Sequence, residues 1–216
     1  MFKSAESQNL STQEMFDEII AVISSFSNEE IKKLLLYIFY ENKDKLLIVA
    51  NNNSTHHREP GGLLRHIYNV MRLSQFIYDF YSPTIMNKDL FIGGSIIHDI
   101  GKLWQHEYDE NGNCVGTSKK GALLKNHLYL GASYVSHVCK QLGISEEISI
   151  LFQHIILAHH NLLEGGISEQ RIFEVSMIEL SDTVDGRYDD LLRQYENISP
   201  NSFEEKNGKI LYFHQL

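Results

Sequence analysis

Apolar residues recur at helical spacing along the N-terminal part of the chain. The first run follows Ser11-Thr12-Gln13-Glu14, a capping-box sequence, and it contains Phe16, Ile19, Ile20, Ile23 and Phe26. A second run begins near Asn28 and contains Ile31, Leu34, Leu35, Ile38 and Phe39. These two runs predict a helical hairpin within residues 1–50.

The rest of the chain predicts further helices of the same kind. Pro60-Gly61-Gly62 precedes a long apolar helix, and another helix is expected from about Lys88 through His98 and Asp99. Later helices are predicted at about 121–142, from 145 to 160, and at about 168–195. Residues 107–120 are polar and predict a hairpin-like or mobile loop, and residues 210–213 predict a short terminal strand. We therefore expect one all-α domain over 1–216, with a helical core at 51–195 and a tail at 196–216.

Composition narrows the class of protein. With 216 residues, 43% of them hydrophobic, the chain is long enough to bury one sizeable core. Its net charge of −9 disfavours a protein whose main task is to grip a nucleic-acid backbone. Two cysteines are too few for a disulfide framework, and no apolar run reaches the roughly 18 residues of a membrane span. The sequence thus predicts a soluble cytoplasmic protein with no membrane partner.

The stretch from Ile96 to Lys102 is the first candidate for chemistry. His98 and Asp99 follow an apolar run, and a buried aspartate is costly unless it is paired or bound to a metal. On a helix, His98 and Asp99 would point to neighbouring directions, and Lys102 would lie one turn beyond His98, where it could hold an anionic substrate. A core histidine beside a helix-terminal aspartate explains this stretch equally well.

Other segments add histidines and a carboxylate in a regular order. Each predicted helix of the core supplies at least one of them: His66, His98 with Asp99, His127, His159 with His160, and Asp182. Isolated histidines are usually structural or exposed, but helix bundles commonly build metal sites from side chains on facing helices. The set therefore favours a metal centre.

The pattern of His66, His98-Asp99 and Asp182 resembles the H…HD…D signature of the HD-domain metal-dependent phosphohydrolases. The segments HHREPGGLLRHIYNV, IIHDIGK, HIILAHHNLLEGG and ELSDTVDGR are similar to the HD half of YhaM-type 3′–5′ exoribonucleases. Two departures matter for the substrate. The chain is expected to lack the additional RNA-binding module of those enzymes, and the Gly-Tyr-Pro segment of cyclic-di-GMP enzymes is absent after His160.

The resemblance implies an HD-domain helical bundle that holds two divalent metal ions. It assigns the first ion to His66, His98, Asp99 and Asp182, and the second to His127, His159 and His160, with Asp99 between them. Such ligands suit Mn²⁺, Fe²⁺, Ni²⁺ or Zn²⁺ better than Mg²⁺. Asp99 and Lys102 would be catalytic, and the substrate contacts would be Lys102, Asp185, Arg187 and His57. Asp185 could instead orient a ligand or be a plain surface charge. His57 could instead belong to a solvated loop.

The function expected from these observations is metal-dependent hydrolysis of phosphoester bonds in nucleotides or short nucleic-acid ends. The partner would be a small phosphorylated substrate. Two alternatives stay open at this point. One is a YhaM-type exoribonuclease acting on RNA, and the other is a non-catalytic domain that binds a nucleotide or a partner protein.

Overall fold

The computed structural model describes residues 10–52, 56–81, 84–124, 126–160, 165–196, 198–206 and 208–214. Ten helices are assigned in these residues: α1 (Thr12–Ser24), α2 (Glu29–Glu41), α3 (Lys43–Leu46), α4 (Gly62–Tyr81), α5 (Lys88–Ile97), α6 (Lys102–Gln105), α7 (Lys119–Leu124), α8 (His127–Leu142), α9 (Glu146–Ala158) and α10 (Phe173–Tyr195). The four strands are β1 (His106–Tyr108), β2 (Cys114–Thr117), β3 (Ser202–Lys206) and β4 (Lys209–Phe213). The prediction of an all-α helical bundle is confirmed.

Polar caps fix the N-terminal hairpin formed by α1 and α2. The Ser11 hydroxyl accepts a hydrogen bond from the Glu14 N–H, and the Glu14 carboxylate accepts one from the Ser11 N–H, as the capping-box sequence predicts. The Asp89 carboxylate on α5 accepts hydrogen bonds from the N–H groups of Ser27 and Asn28 at the start of α2. The hairpin is thereby joined to the helical core.

A single cluster of buried apolar side chains extends from α1 to α10. Helix α5 contacts α2, α4, α9 and α10, while α8 packs along α9. Among the largest fully buried side chains are Phe39, Phe91 and Phe152, from three different helices. Because this core is continuous, we propose that the chain forms one domain. No helix within the described ranges combines the length and apolar character needed to cross a membrane.

The strands form two separate antiparallel hairpins. β1 pairs with β2 inside the polar segment at 107–120, so the hairpin expected there is confirmed. β3 pairs with β4 in full register, with Phe203 opposite Tyr212. The predicted terminal strand at 210–213 is therefore present, and its partner β3 is a strand that was not predicted.

Three predicted helices differ from the structure. Helix α5 ends at Ile97, and residues 98–101 form a tight turn with hydrogen bonds from Ile100 N–H to Ile97 O and from Lys102 N–H to Asp99 O. The helix expected at 121–142 is interrupted, because Asn126 caps a new helix that starts at His127. The last helix begins at Phe173, five residues later than predicted. In the first two cases the interruption falls beside a predicted metal ligand.

Candidate metal centre

The predicted ligands lie mostly at the ends of helices. His98 and Asp99 belong to the turn after α5, His127 is the first residue of α8, and His159 directly follows α9. Gly101 allows the turn to approach α8, since a Cβ atom on this residue would lie 1.9 Å from the His127 carbonyl oxygen. This close approach brings Asp99 beside His127.

On the first side of the centre, side-chain atoms of three other residues converge near Asp99 Oδ2. His66 Nε2 lies 3.2 Å from Asp99 Oδ2 and 3.1 Å from Asp182 Oδ1. His98 Nε2 lies 3.2 Å from His66 Nε2 and 3.6 Å from Asp99 Oδ2. All four side chains are buried. The structure thus brings together the residues predicted for the first metal ion, and we call His66, His98 and Asp182 with Asp99 Oδ2 the first side.

On the second side, three histidines surround the other carboxylate oxygen. His127 Nε2 lies 3.2 Å and His159 Nε2 3.8 Å from Asp99 Oδ1. His160 belongs to the same group, and its ring centroid lies 5.2 Å from that of His127. These three histidines with Asp99 Oδ1 are called the second side below. Asp99 therefore directs one oxygen to each side.

Hydrogen bonds of the outer ring nitrogens determine where the lone pairs point. His66 Nδ1 lies 2.7 Å from Asp185 Oδ2, His98 Nδ1 2.8 Å from the Ser95 carbonyl, and His159 Nδ1 2.9 Å from the Ile156 carbonyl. Oxygens of these types only accept hydrogen bonds, so each Nδ1 carries the proton. The Nε2 atom of each ring therefore presents a lone pair to the centre whenever that ring is neutral.

Gln105 fixes the direction of the His127 ring in the same way. Gln105 Oε1 accepts a hydrogen bond from the His127 backbone N–H at 2.7 Å, which identifies this amide atom as the oxygen, and it lies 3.0 Å from His127 Nδ1. His127 Nδ1 therefore carries the proton. His127 Nε2 and Asp99 Oδ1 face each other, and both are hydrogen-bond acceptors. Within the described residues His127 Nε2, His159 Nε2 and Asp99 Oδ1 are buried without a hydrogen-bond partner. A cation would satisfy all three, so the donor set fits a metal ion.

The pKa shifts follow from this concentration of acceptors. Burial opposes a charge on His66, but hydrogen bonds with Asp182, Asp185 and Asp99 outweigh burial and hold its pKa well above the ordinary 6.5. Burial lowers the pKa of His98 to about 3 and that of His160 to about 4. A proton on His66 thus offsets part of the negative charge of the metal-free chain, and a metal ion would displace it.

Lys102 reaches the centre, although not by the helical spacing expected. Its Nζ donates hydrogen bonds to Asp99 Oδ2 at 2.6 Å and to Asn51 Oδ1 at 2.9 Å. The turn at 98–101 makes Lys102 the third residue after Asp99 and the first of α6. Its ammonium is buried beside the carboxylate that the two sides share.

The other predicted substrate contacts are placed differently. Asp185 is buried and bonded to His66, which matches the ligand-orienting alternative. His57 is buried against Asp185 and is not part of a solvated loop. Arg187 is exposed on α10, two residues beyond Asp185 and therefore on another face of that helix. The structure does not bring Arg187 to the centre.

Sequence reasoning missed three amide side chains that hold the ligands. Gln105 orients His127, Asn51 accepts from Lys102, and Asn69 donates to Asp185 Oδ1 at 2.8 Å. Only Asn69 carries a usable signal, because it lies three residues after His66 on the same helix and so shares its face. The positions of Gln105 and Asn51 depend on the tertiary fold.

Fold and ligands together define the class of this protein. A family model for the HD domain matches residues 63–200, which is more than half of the chain. The chain belongs to the HD domain family.

Curated relatives add a more specific likeness. The chain is similar to the 3′–5′ exoribonuclease YhaM of Shouchella clausii, at 27% identity over 200 residues, which are 91% of this chain and 60% of that protein. For the YhaM proteins of Bacillus subtilis and Listeria welshimeri, identity is 24% over 208 residues, which are 93% of this chain and 62% and 63% of those proteins. The chain thus spans less than two thirds of the length of these relatives. No solved structure matched it significantly.

Proposed function

We propose that the chain cleaves phosphoester bonds of nucleotides or of short nucleic-acid ends with two divalent metal ions, one held on each side of Asp99. The observation that carries the proposal is the direction of the lone pairs. Four imidazole Nε2 atoms and the oxygens of two aspartates converge, and among the described residues no hydrogen-bond donor lies between the rings of the second side and Asp99. Nitrogen and carboxylate ligands without thiolate suit Mn²⁺, Fe²⁺, Ni²⁺ or Zn²⁺.

Each residue of the centre has a proposed task. Bound divalent ions would supply a water nucleophile at neutral pH and neutralise charge on the phosphate. Asp99 is shared by both sides, and Asp182 adds a second carboxylate to the first side. Lys102 holds Asp99 Oδ2 through a charged hydrogen bond and adds a positive charge beside the place of reaction. We propose Asp99 and Lys102 as the catalytic residues on this basis.

The exposure of the ligands indicates where a substrate would enter. The side chain of His160 is 32% exposed, whereas those of His66 and His98 are fully buried. A substrate phosphate would therefore approach from the second side. His160 Nδ1 lies 3.5 Å from Asp182 Oδ2, so this histidine also links the opening to the first side.

A 3′–5′ exoribonuclease is the second candidate for the function. The names of the relatives favour it, and their similarity covers nine tenths of this chain. The charge of the chain favours the small substrate, because 28 acidic residues outnumber 19 basic ones and long nucleic acids are gripped through clustered Lys and Arg.

One experiment decides between the two candidates. Mn²⁺-loaded protein is incubated with a panel of mononucleotides, cyclic nucleotides and dinucleotides, and separately with an end-labelled RNA of about 30 nucleotides at moderate salt. We expect the small substrates to be hydrolysed faster than the long RNA. The His160→Ala variant, prepared identically, serves as control for contaminating nucleases.

Stepwise shortening of the RNA from its 3′ end while the small substrates survive would establish the exoribonuclease instead. Hydrolysis of neither substrate class by protein with confirmed metal content would contradict both candidates and favour the non-catalytic binding domain.

A further inference from the structure

His57 contacts three different parts of the structure through three of its groups. Its Nε2 lies 2.8 Å from Asp185 Oδ2, its backbone N–H donates to Asp189 Oδ2 at 2.9 Å, and its carbonyl accepts from the Asn51 N–H at 3.0 Å. The residue is only 3% exposed. It therefore lies behind the metal centre and not at the opening where a substrate would enter.

The first connection leads through Asp185 to the first side. Asp185 Oδ2 is shared by His57 Nε2 and His66 Nδ1, and its Oδ1 accepts from Asn69. A carboxylate held at three points has little freedom to rotate, so it fixes the direction in which His66 Nε2 points. Partners of this kind raise the metal affinity of the ligand that they orient.

The second connection leads through Asn51 to the shared carboxylate. The His57 carbonyl holds the Asn51 backbone, the Asn51 amide oxygen accepts from Lys102 Nζ, and Lys102 holds Asp99 Oδ2. His57 is thus connected to a ligand of the first side by its ring and to Asp99 by its carbonyl.

The backbone at His57 shows that its position is closely constrained. Its φ angle is +53°, a left-handed value that non-glycine residues adopt rarely and at a cost in free energy. A Cβ atom at Gly62 would lie 2.0 Å from the His57 carbonyl oxygen, so this glycine allows the first turn of α4 to approach His57 closely. His66 lies one turn further along the same helix.

We propose that His57 is a positioning residue, which sets the metal affinity of the centre by holding Asp185 against His66. This inference rests on the metal centre of the proposed function and not on its substrate. It assigns to His57 a task in place of the substrate contact expected from the sequence.

Two amide substitutions test the contact with Asp185. In His57→Asn the side chain tolerates a positive φ angle but is too short to reach Asp185, whereas in His57→Gln the amide nitrogen can take the place of Nε2. Metal-stripped variants are titrated with Mn²⁺ by calorimetry, without substrate. We expect the wild type to bind Mn²⁺ in two steps and the Kd of the tighter step to rise about 10-fold in His57→Asn, which is the low end of the loss in affinity when a partner of a metal ligand is removed. In His57→Gln this Kd should rise less than about threefold.

A double-mutant comparison shows whether His57 acts through Asp185. Asp185→Asn should raise the same Kd by about 10- to 100-fold, and adding His57→Asn should change it little further. Tyr68→Phe is the matched control, because it removes a 2.7 Å hydrogen bond from α4 to Glu18 without touching the network. Its Kd should equal that of the wild type.

Unchanged Mn²⁺ affinity in His57→Asn, equal weakening in the Asn and Gln variants, or fully additive effects with Asp185→Asn would each overturn the inference. A wild-type protein that binds Mn²⁺ as expected but hydrolyses no phosphoester would contradict the proposed function alone, because the titration involves no substrate.

Discussion

The two oxygens of Asp99 face unequal surroundings. The first side adds a second carboxylate, Asp182, and its side chains are all at least nine-tenths buried. The second side has one carboxylate oxygen and three imidazoles, and one of these, His160, is 32% exposed. The additional carboxylate ligand and the lower exposure of the first side favour a metal ion there more strongly.

The unequal surroundings follow from the elements that supply the ligands. His66 and Asp182 lie inside the long helices α4 and α10, which pack against each other and against α5. His127 and His159 lie at a helix start and just after a helix end. A ligand inside a packed helix is held by many neighbours, whereas one at a helix end depends on its cap and local hydrogen bonds. We therefore expect a tightly bound metal on the first side and a weaker, exchangeable one on the second.

Removal of the shared carboxylate should have the largest effect, because it abolishes the difference between the sides. In Asp99→Ala we expect the metal content to fall below about one tenth of the wild-type value and hydrolysis to fall by about a thousandfold or more. Elemental analysis of the purified protein measures the metal content, and a phosphate-release assay measures hydrolysis. Asp44→Ala, which changes an exposed aspartate on α3, should behave like wild type. Undiminished metal in Asp99→Ala would show that Asp99 is not a shared ligand.

Removal of one histidine from each side should separate them. His98→Ala should weaken the tighter Mn²⁺ step by about 100-fold, whereas His160→Ala should abolish the weaker step and leave the tighter Kd within about threefold of wild type. Calorimetric titration of the metal-stripped variants resolves the two steps. If both variants lose the same amount of metal with the same change in Kd, the two sides hold one ion between them.

The same contrast decides how much the sequence can predict. Helices with clear apolar spacing and caps, such as α1 and α2, are predictable because local propensity and burial agree in them. The ligands could be predicted as residue types in order along the chain. The turn at 98–101 could not, because its form depends on the contact between Gly101 and the His127 carbonyl, which lies far along the chain.

The partners of the ligands were the least predictable part of the centre. The side chains of Gln105 and Asn51 each contact one residue on another element, and an isolated long-range contact leaves no periodic signal in a sequence. Arg187 shows the converse, since its residue type suggests a phosphate contact while its position on α10 turns it away. Residue type indicates the chemistry, and only the packed fold determines which groups take part.

Proton uptake should reveal a smaller difference between the sides. Burial holds the pKa of His127 well below 6.5 and lowers that of His160 to about 4, while the pKa of His66 on the first side is raised. When folding lowers the pKa of a histidine, the unfolded chain binds more protons than the folded chain below about pH 6.5, so the free energy of unfolding falls as the pH falls. When folding raises the pKa, as for His66, the histidine contributes stability that is fully present below about pH 6.5.

Among the described histidines, more have a lowered pKa than a raised one. The pKa values of His56 and His98 are also lowered, whereas besides His66 only His57 has a raised pKa. We therefore expect the Tm of the metal-stripped protein to fall by roughly 3–6 °C between pH 7 and pH 5, measured by circular dichroism. His127→Gln should reduce this fall, whereas His137→Gln, which changes an exposed histidine on α8, should leave it unchanged. A Tm at pH 5 equal to or above that at pH 7 would mean that the second-side histidines are not held neutral, and the contrast between the two sides would then lose its electrostatic basis.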